Sequence, residues 1–345
     1  MRSYEVTIGI PVYNAAKFVG RALDTVLNQT FNDLEILVVD DCSTDNTLAI
    51  IEQYRREHRR GDCIRVIRQE KNGGPSAARN RMIDEAWGKY LYFMDADDTI
   101  PVYAIASLYE AAIKYHSEVV YGSHKHIEVY DKHRNTTLFQ YPFRVFHKKG
   151  ELASYAYRQY GKFQVPVWNV LINVFFLRDT GLRFIAARFW EDMAFTYDLV
   201  SYVNRATLLP VITYHYLCRP NTLSNFQNRE VIDRKEIVRN IATIDHVKLG
   251  CVELREKAYV GYRSYDVVMN SFYMVCQILK YRNRIHPSFT NEELQLMMYH
   301  PLSLSDIIHS HRKLLGNLFL WSMSRMPLWM FMITVKVLGK LKRVL

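Results

Sequence analysis

The sequence predicts an α/β fold built on a mainly parallel sheet, and three observations support this prediction. Short apolar runs alternate with amphipathic stretches from Val6 to about His116, in the order β-α-β-α-β-α-β-α. Two of the apolar runs end in clustered aspartates. Hydrophobic residues make up 49% of the 345 residues, which is enough for a large buried core. Such sheets are covered by helices on both faces and bind ligands outside the carboxyl ends of their strands.

Each element follows from its hydrophobic period and from the residues that interrupt it. The expected strands are 6–10, 35–39, 64–67 and 90–94, with further candidates near 119–121 and 208–216. The expected helices are 18–27, 45–54 and 76–86, a long pair within 231–283, and shorter ones within 291–315. Ser43 or Thr44 is a candidate cap of the second helix.

Two regions follow from this pattern. Residues 1–225 are expected to form the α/β domain, and residues 226–345 a helical C-terminal region with a basic, amphipathic end. The five cysteines are scattered and form no C-x-x-C pair, which predicts a reducing compartment. The N-terminal segment lacks the apolar core of a secretory signal, so a cytoplasmic location is expected.

Positive charge is concentrated at the C-terminal end. The net charge is +10, and after Asp306 the chain has seven lysines and arginines and no acidic residue. These residues alternate with large apolar ones, which favours an anionic lipid surface over nucleic acid. Arg325 and Pro327 interrupt the apolar run, so peripheral membrane contact through residues 312–345 is expected rather than a spanning helix. Packing of this end on the catalytic domain or on a second subunit is the alternative, which leaves a homodimer open.

The most informative stretch is Asp95-Ala96-Asp97-Asp98, directly after the expected strand 90–94. Carboxylates spaced two apart at a strand end can converge on one point, and hard oxygen ligands suit Mg²⁺ or Mn²⁺, which in turn hold phosphates. When the same three residues are taken alone, a solvated turn that closes the strand is the better explanation. Asp40 and Asp41 follow another strand, so both acidic sites are expected to border one crevice.

Six motifs in order carry a resemblance to a known family. They are residues 10–14 (IPVYN), 29–31 (QTF), 38–45 (VVDDCSTD), 72–80 (NGGPSAARN), 95–98 (DADD) and 191–192 (ED). Together they resemble the family 2 inverting glycosyltransferases with the GT-A fold, a Rossmann-like sheet flanked by helices. The resemblance is strong over residues 4–100, weaker to about 225, and absent beyond. It implies transfer of a sugar from a nucleotide diphosphate.

The resemblance implies a donor site in the first hundred residues. Asp41 matches the acidic residue that binds a uracil ring, although a loop that caps the next helix is the plainer explanation of Asp41. Asp97 matches the direct ligand of Mn²⁺ or Mg²⁺, with Asp95 toward the ribose or a metal-bound water and Asp98 in support. The remaining donor-binding residues that the resemblance implies are Pro11, Tyr13, Asn14, Ser43 and Arg79.

The resemblance also implies acceptor and closing residues further along the chain. Asp192, beside Glu191, matches the general base, although acids in a first helical turn are also favoured by the helix dipole alone. Trp168 and Trp190 are candidates for an aromatic wall against the acceptor sugar, or for core residues. Arg219 matches loosely a segment that closes over the diphosphate, and His215 is a further candidate ligand of the metal.

The predicted function is therefore metal-assisted, inverting transfer of one hexosyl or N-acetylhexosaminyl unit. The donor is a UDP-sugar, and the acceptor is a glycan or lipid-linked glycan in bacterial surface, capsular or exopolysaccharide or lipopolysaccharide synthesis. No Q-x-x-R-W signature is present, which favours single addition over polymerisation. Work at the inner face of the cell membrane is expected. The alternatives are a nucleotidyltransferase and a non-catalytic, membrane-associated nucleotide-binding scaffold.

Overall fold

The computed structural model describes residues 4–130, 133–159, 163–187, 190–218 and 230–345. The chain divides into two compact units, each assembled from separate segments. Unit 1 comprises Met1–Leu152, Pro166–Ala186 and Tyr202–Thr222, and unit 2 comprises Ala153–Val165, Ala187–Ser201 and Leu223–Leu345. The expected single boundary near residue 225 stays a prediction.

Unit 1 is built on a nine-stranded sheet. Its strands are β1 (Tyr4–Val12), β2 (Leu34–Asp40), β3 (Ile64–Arg68), β4 (Gly88–Phe93), β5 (Val119–Tyr130), β6 (His133–Phe139), β7 (Arg144–Phe146), β8 (Val170–Asn173) and β9 (Ala206–Cys218). They run in the order β3-β2-β1-β4-β8-β5-β9-β7, and β6 pairs with β5. The pairs β3-β2, β2-β1, β1-β4 and β5-β9 are parallel, whereas β8 is antiparallel to β4 and β5. The prediction of an α/β fold with a mainly parallel sheet is confirmed.

The helices of this unit connect the strands. They are α1 (Val19–Leu27), α2 (Thr47–Glu57), α3 (Gly74–Glu85), α4 (Ala104–Lys114), α5 (Glu151–Arg158), of which only the first two residues belong to this unit, and α6 (Val174–Asp179). Every residue of β2 is buried, as a strand covered on both faces requires. Helix α2 begins at Thr47 and not at 45, because the Asp45 carboxylate accepts the Thr47 N–H at 3.0 Å and so precedes the first turn.

Unit 2 is mainly helical. Its helices are α7 (Glu191–Tyr202, of which all but the last residue belongs to this unit), α8 (Arg234–Glu253), α9 (Val260–Lys280), α10 (Asn291–Leu296), α11 (Leu304–Ser310), α12 (Leu314–Met323) and α13 (Leu328–Leu341). Two short strands, β10 (Ile232–Asp233) and β11 (Ile285–His286), pair in parallel. The long pair expected within 231–283 is confirmed as α8 and α9. None of the helices in the described part of the chain combines the length and the apolarity needed to cross a membrane.

Capping residues fix where several of these helices begin. The Asp233 side chain accepts the Lys235 N–H ahead of α8 at 2.8 Å. Thr290 and Glu293 form a reciprocal capping box on α10, and Ser303 with Asp306 forms another on α11. These side chains satisfy backbone N–H groups that a helix leaves without partners at its start.

We expect Gly88→Ala to destabilise the sheet of unit 1. A Cβ at Gly88 would lie 2.5 Å from the backbone nitrogen of Thr7 on β1, where only a shift of one strand can relieve the clash. The expected loss is about 1–3 kcal/mol of the free energy of unfolding, measured by urea denaturation. The control is Gly20→Ala in α1, whose new Cβ would come no closer than 3.4 Å to a neighbour. Equal stability of the two variants would contradict this account of the β1-β4 contact.

Candidate functional site

The acidic turn, residues 95–98, follows directly from β4. The Met94 N–H continues the ladder by donating to the Gly9 carbonyl at 3.0 Å, and the Asp98 N–H then donates to the Asp95 carbonyl at 3.2 Å. Arg21 donates to the Asp97 carbonyl at 2.9 Å. The side chains divide, because Asp95 and Asp97 are partly exposed whereas Asp98 is buried. The turn therefore offers two carboxylates to a ligand and keeps the third inside.

The buried carboxylate is held by strand β9. Tyr214 donates its hydroxyl to Asp98 Oδ2 at 2.8 Å, and the Leu217 N–H donates to Oδ1 at 2.8 Å. The same Tyr214 hydroxyl accepts the Asp95 N–H at 3.1 Å, so one buried phenol contacts both ends of the turn. Two backbone hydrogen bonds between Thr99 and His215 extend this connection. Sequence reasoning missed Tyr214, although its alternation with Tyr216 on an apolar strand was a readable signal.

The three carboxylates repel one another. Burial raises the pKa of Asp98 well above its usual range, and the charges of Asp97 and Asp95 raise it further. A divalent cation beside Asp95 and Asp97 would offset this repulsion. Among the described residues no three His, Cys, Asp or Glu side chains form a complete metal site. Mg²⁺ commonly uses one or two carboxylates and takes its other ligands from water and substrate phosphates, so this pair fits such an ion.

His215, a candidate ligand of the metal, follows Tyr214 on β9. Successive side chains of a strand point to opposite faces, so the His215 ring lies on the face opposite Tyr214. Burial and the charge of Lys125 lower the pKa of this histidine. The His215 backbone pairs with Thr99, and its role as a metal ligand stays a prediction.

Asp41, directly after β2, lies against the start of α3. Its two carboxylate oxygens accept the N–H groups of Gly73 and Gly74 at 2.8 and 2.7 Å, and Gln69 donates to the first of them. An ionised carboxylate has about four acceptor positions, so three bonds leave room for about one further donor. The carboxylate is thus fixed by the positive end of a helix with one acceptor position remaining.

The loops after β1 and β2 are fastened to each other. The Asn14 N–H donates to Ser43 Oγ at 3.0 Å, and Asn14 Oδ1 accepts the Thr44 N–H at 2.8 Å. Asn14 has a φ of 49°, a left-handed conformation that asparagine tolerates. Pro11 is partly buried, whereas the Tyr13 side chain in this loop is 54% exposed to solvent.

Arg79 connects helix α3 to the acidic turn. This nearly buried side chain donates to Asp95 Oδ1 at 3.2 Å, and its guanidinium lies 5.5 Å from the centre of the Phe184 ring. The Phe184 backbone is held by Asn80, whose side chain makes two hydrogen bonds of 2.8 Å to it. One helix therefore holds Asp41 at its first residues and Asp95 through its second turn.

The spacing of these groups follows from the sheet order β2-β1-β4. All three strands are parallel, so their carboxyl ends lie at one edge. Adjacent strands are about 4.8 Å apart, which places the residues after β2 about 10 Å from those after β4. The loop after β1, with Tyr13 and Asn14, lies between them. The structure brings Asp41, Arg79 and Asp95 to one edge.

Trp168 lies in the core, which is one of the two places that the sequence left open for it. Its side chain is only 4% exposed and stacks against Tyr214, with ring centres 4.6 Å apart, and against Tyr216 at 5.4 Å. A ring buried to this degree has little surface left for a sugar. Trp168 packs against Tyr214, and so supports the residue that holds the acidic turn.

The acidic pair of α7 and the tryptophan before it belong to unit 2. Glu191 and Asp192 occupy the first turn of α7, Glu191 buried and Asp192 partly exposed. Trp190 precedes them with a φ of 64°, is 37% exposed, and accepts the Ala194 N–H at 3.2 Å. Arg219 lies outside the described residues.

The other end of α7 is fixed by a buried arginine of α9. Arg263 donates to the Tyr197 carbonyl at 2.6 Å, to the Tyr157 hydroxyl at 2.7 Å and to Asp198 at 3.2 Å. His246 lies 2.9 Å from the second oxygen of Asp198. A buried guanidinium is tolerated where several acceptors surround it, as here. These contacts hold the helix that carries Asp192, and no sequence pattern predicted them.

Comparison with known proteins identifies the class. The sequence model described as Glycosyl transferase family 2 matches residues 7–169. Glycosyltransferase GlyG of Streptococcus pneumoniae is 33% identical over 119 residues, and a poly(ribitol-phosphate) beta-glucosyltransferase of Bacillus spizizenii is 37% identical over 125. These matches span 34% and 36% of this chain, but only 38% and 19% of the relatives. The uncharacterized glycosyltransferase EpsJ of Bacillus subtilis is 29% identical over 71% of both chains.

The fold is shared with a solved structure. The crystal structure of residues 1–349 of S. aureus TarS in complex with UDP aligns with a TM-score of 0.64 and 19% identity, over 93% of this chain and 90% of that one. Residues 7–169 therefore match glycosyl transferase family 2, and the chain has the GT-A fold. The resemblance first seen in the six motifs is confirmed.

We expect Tyr214→Phe to destabilise the protein by about 1–3 kcal/mol, because Asp98 and the Asp95 N–H both lose a buried partner. Urea denaturation measures the change. The control is Tyr216→Phe on the same strand, since the Tyr216 hydroxyl makes no hydrogen bond among the described residues. Similar losses for both variants would show that the Tyr214 hydroxyl does not hold the turn.

The ion pair between His246 and Asp198, on helix α7, is expected to depend on pH. The hydrogen bond to Asp198 raises the pKa of His246 above 6.5, so its stabilising effect is full below that pH and is lost as pH rises through the folded-state pKa. His246→Gln is therefore expected to cost under about 1 kcal/mol at acidic pH, given the partial exposure of the pair, and nothing at alkaline pH. Urea denaturation across pH measures the difference, with exposed His309→Gln as control. A gap that does not change with pH would contradict the ion pair.

Proposed function

We propose that this chain is an inverting glycosyltransferase that moves one sugar from a UDP-sugar to a glycan or lipid-linked glycan. The observation that carries the proposal is the edge where Asp41 and the acidic turn follow β2 and β4 on either side of β1. A separation of about 10 Å suits a nucleoside at one end and its diphosphate at the other. The relatives named as poly(ribitol-phosphate) glycosyltransferases support a polymeric glycan acceptor. The proposed role is in the synthesis of a cell-surface polysaccharide, at the inner face of the cell membrane.

Asp41 would recognise the base. Its remaining acceptor position suits the imide N–H of uracil, and the exposed Tyr13 ring offers a surface on which a base can stack. The UDP and UDP-GlcNAc in the TarS structures support a uridine donor. Pro11, Asn14 and Ser43 would shape this pocket through the fastened loops, and Arg79 would hold Asp95 toward the ribose or the diphosphate.

Asp97, with Asp95, would hold Mn²⁺ or Mg²⁺. The bound ion would neutralise negative charge that grows on the departing diphosphate. Asp98 stays buried and holds the turn through Tyr214, so that Asp95 and Asp97 keep their positions when the ligand binds.

Asp192 would act as the general base. In a single displacement the acceptor oxygen forms its bond to the anomeric carbon while the bond to the diphosphate breaks, and the hydroxyl proton passes to the Asp192 carboxylate. Attack from the face opposite the leaving group inverts the configuration. No protein nucleophile is needed. Glu191, buried in the same turn, would support the base, and Trp190 offers exposed ring surface for an acceptor sugar.

Two substitutions test this assignment of roles. Asp97→Asn is expected to abolish the Mn²⁺ dependence of UDP binding, measured by isothermal titration with and without the metal. Asp192→Asn is expected to bind UDP and Mn²⁺ as the wild type does, but to lower sugar transfer about 10²–10⁴-fold. A thermal-shift screen of UDP-sugars with Mn²⁺ first selects the donor, because a ligand of the folded state raises its stability.

Asp62→Asn is the matched control. Asp62 is exposed just before β3, at the sheet edge opposite the carboxyl ends, and its substitution removes the same charge. If the Asp192→Asn variant transferred sugar at the wild-type rate, Asp192 would not be the general base. UDP binding with turnover of nucleoside triphosphates instead of UDP-sugars would favour a nucleotidyltransferase, and binding without any turnover would favour a scaffold.

A further inference from the structure

Helix α13 has two unlike faces. Phe331, Val335 and Gly339 recur every four residues and are buried, so this stripe packs against the protein. The opposite side carries large apolar side chains that are exposed. We define the outer face of α13 by Trp329 (68% exposed), Met330 (36%), Ile333 (55%), Val337 (51%) and Leu341 (74%).

Cationic residues share this outer face. At 100° per residue, Lys336 and Lys340 fall on either side of Trp329, within about 20° of it. Both lysines are exposed, and neither makes an ion pair within the described part of the chain. Lys342 and Arg343 follow immediately and are also exposed. No acidic residue occurs after Asp306, so nothing on this helix neutralises them.

We propose that the outer face of α13 binds the surface of an anionic lipid bilayer, with the helix lying flat in the interface. The buried stripe fixes the helix to unit 2 along its length, which orients the outer face toward a surface. Exposed tryptophan, isoleucine and leucine would enter the boundary between headgroups and acyl chains, while the lysines contact anionic headgroups.

The positive charge of the outer face favours an anionic bilayer over a second copy of the chain as its binding partner. A self-associating face would bring its own lysines close to those of its copy, and like charges close together oppose association. An anionic bilayer attracts each of them, by about 1 kcal/mol per lysine near the surface. The mixture of exposed apolar and unneutralised cationic side chains on one face is therefore complementary to lipid.

The test is flotation of the full chain with vesicles of phosphatidylcholine, with or without phosphatidylglycerol. The wild type is expected to bind only the anionic vesicles. Lys336→Gln with Lys340→Gln is expected to weaken this binding about thirtyfold. The control is Lys235→Gln with Lys257→Gln, two exposed lysines elsewhere in unit 2, which removes the same charge and should leave binding unchanged.

The apolar part has its own matched pair. Ile333→Ser with Val337→Ser is expected to weaken binding by more than about tenfold, whereas Leu249→Ser with Val238→Ser, of similar exposure on α8, should not. Trp329→Phe should still bind but lose the shift in tryptophan emission that vesicles cause. Circular dichroism confirms that each variant is folded.

Two outcomes would overturn the proposal. One is equal binding of all variants and the wild type to anionic vesicles. The other is no binding of the wild type to vesicles, together with a concentration-dependent dimer that Ile333→Ser with Val337→Ser converts to a monomer, since the face would then join two copies.

Discussion

The hydrogen bond from the buried Tyr214 hydroxyl to Asp98 is the constraint on which the site depends. It connects a strand late in the chain to the turn after β4, 116 residues earlier. Burial makes this bond costly to lose, and it also raises the pKa of the carboxyl that accepts it. Because Asp98 is held inside, the turn must direct Asp95 and Asp97 outward. Tyr214 therefore orients the two carboxylates that are proposed to hold the metal.

Helix α3 is a second constraint, and it connects the two acidic groups at this edge of the sheet. Its first N–H groups hold Asp41, and Arg79 in its second turn holds Asp95. The two acidic groups are therefore spaced by a rigid element as well as by the strands that carry them. Such prearrangement would lower the cost of ordering the site when a charged donor binds, and a divalent metal ion would relieve the repulsion among the carboxylates.

Much of the fold and of the acidic site could be predicted from the sequence, because local patterns determine them. The early strands are continuous apolar runs, the helices carry clear periods, and the acidic clusters follow strand ends. The middle of unit 1 was less readable. β5 was expected at 119–121 but extends to Tyr130, since its polar residues pair with β6 in regular register and with β9 through shifts near Ser123. The positions of Trp168 and Tyr214 could not be predicted for a related reason. Contacts between distant segments decide whether an aromatic side chain lines a binding surface or lies in the core.

The most direct test of the account is the position of the metal. Crystals grown with UDP and Mn²⁺ give an anomalous scattering signal that locates the ion without assumptions about its ligands. We predict a single peak about 2.1–2.2 Å from a carboxylate oxygen of Asp97, with Asp95 nearby and Asp98 still bonded to Tyr214. A peak remote from both Asp95 and Asp97, with UDP bound at the same edge, would contradict the assignment of the acidic turn as the diphosphate site.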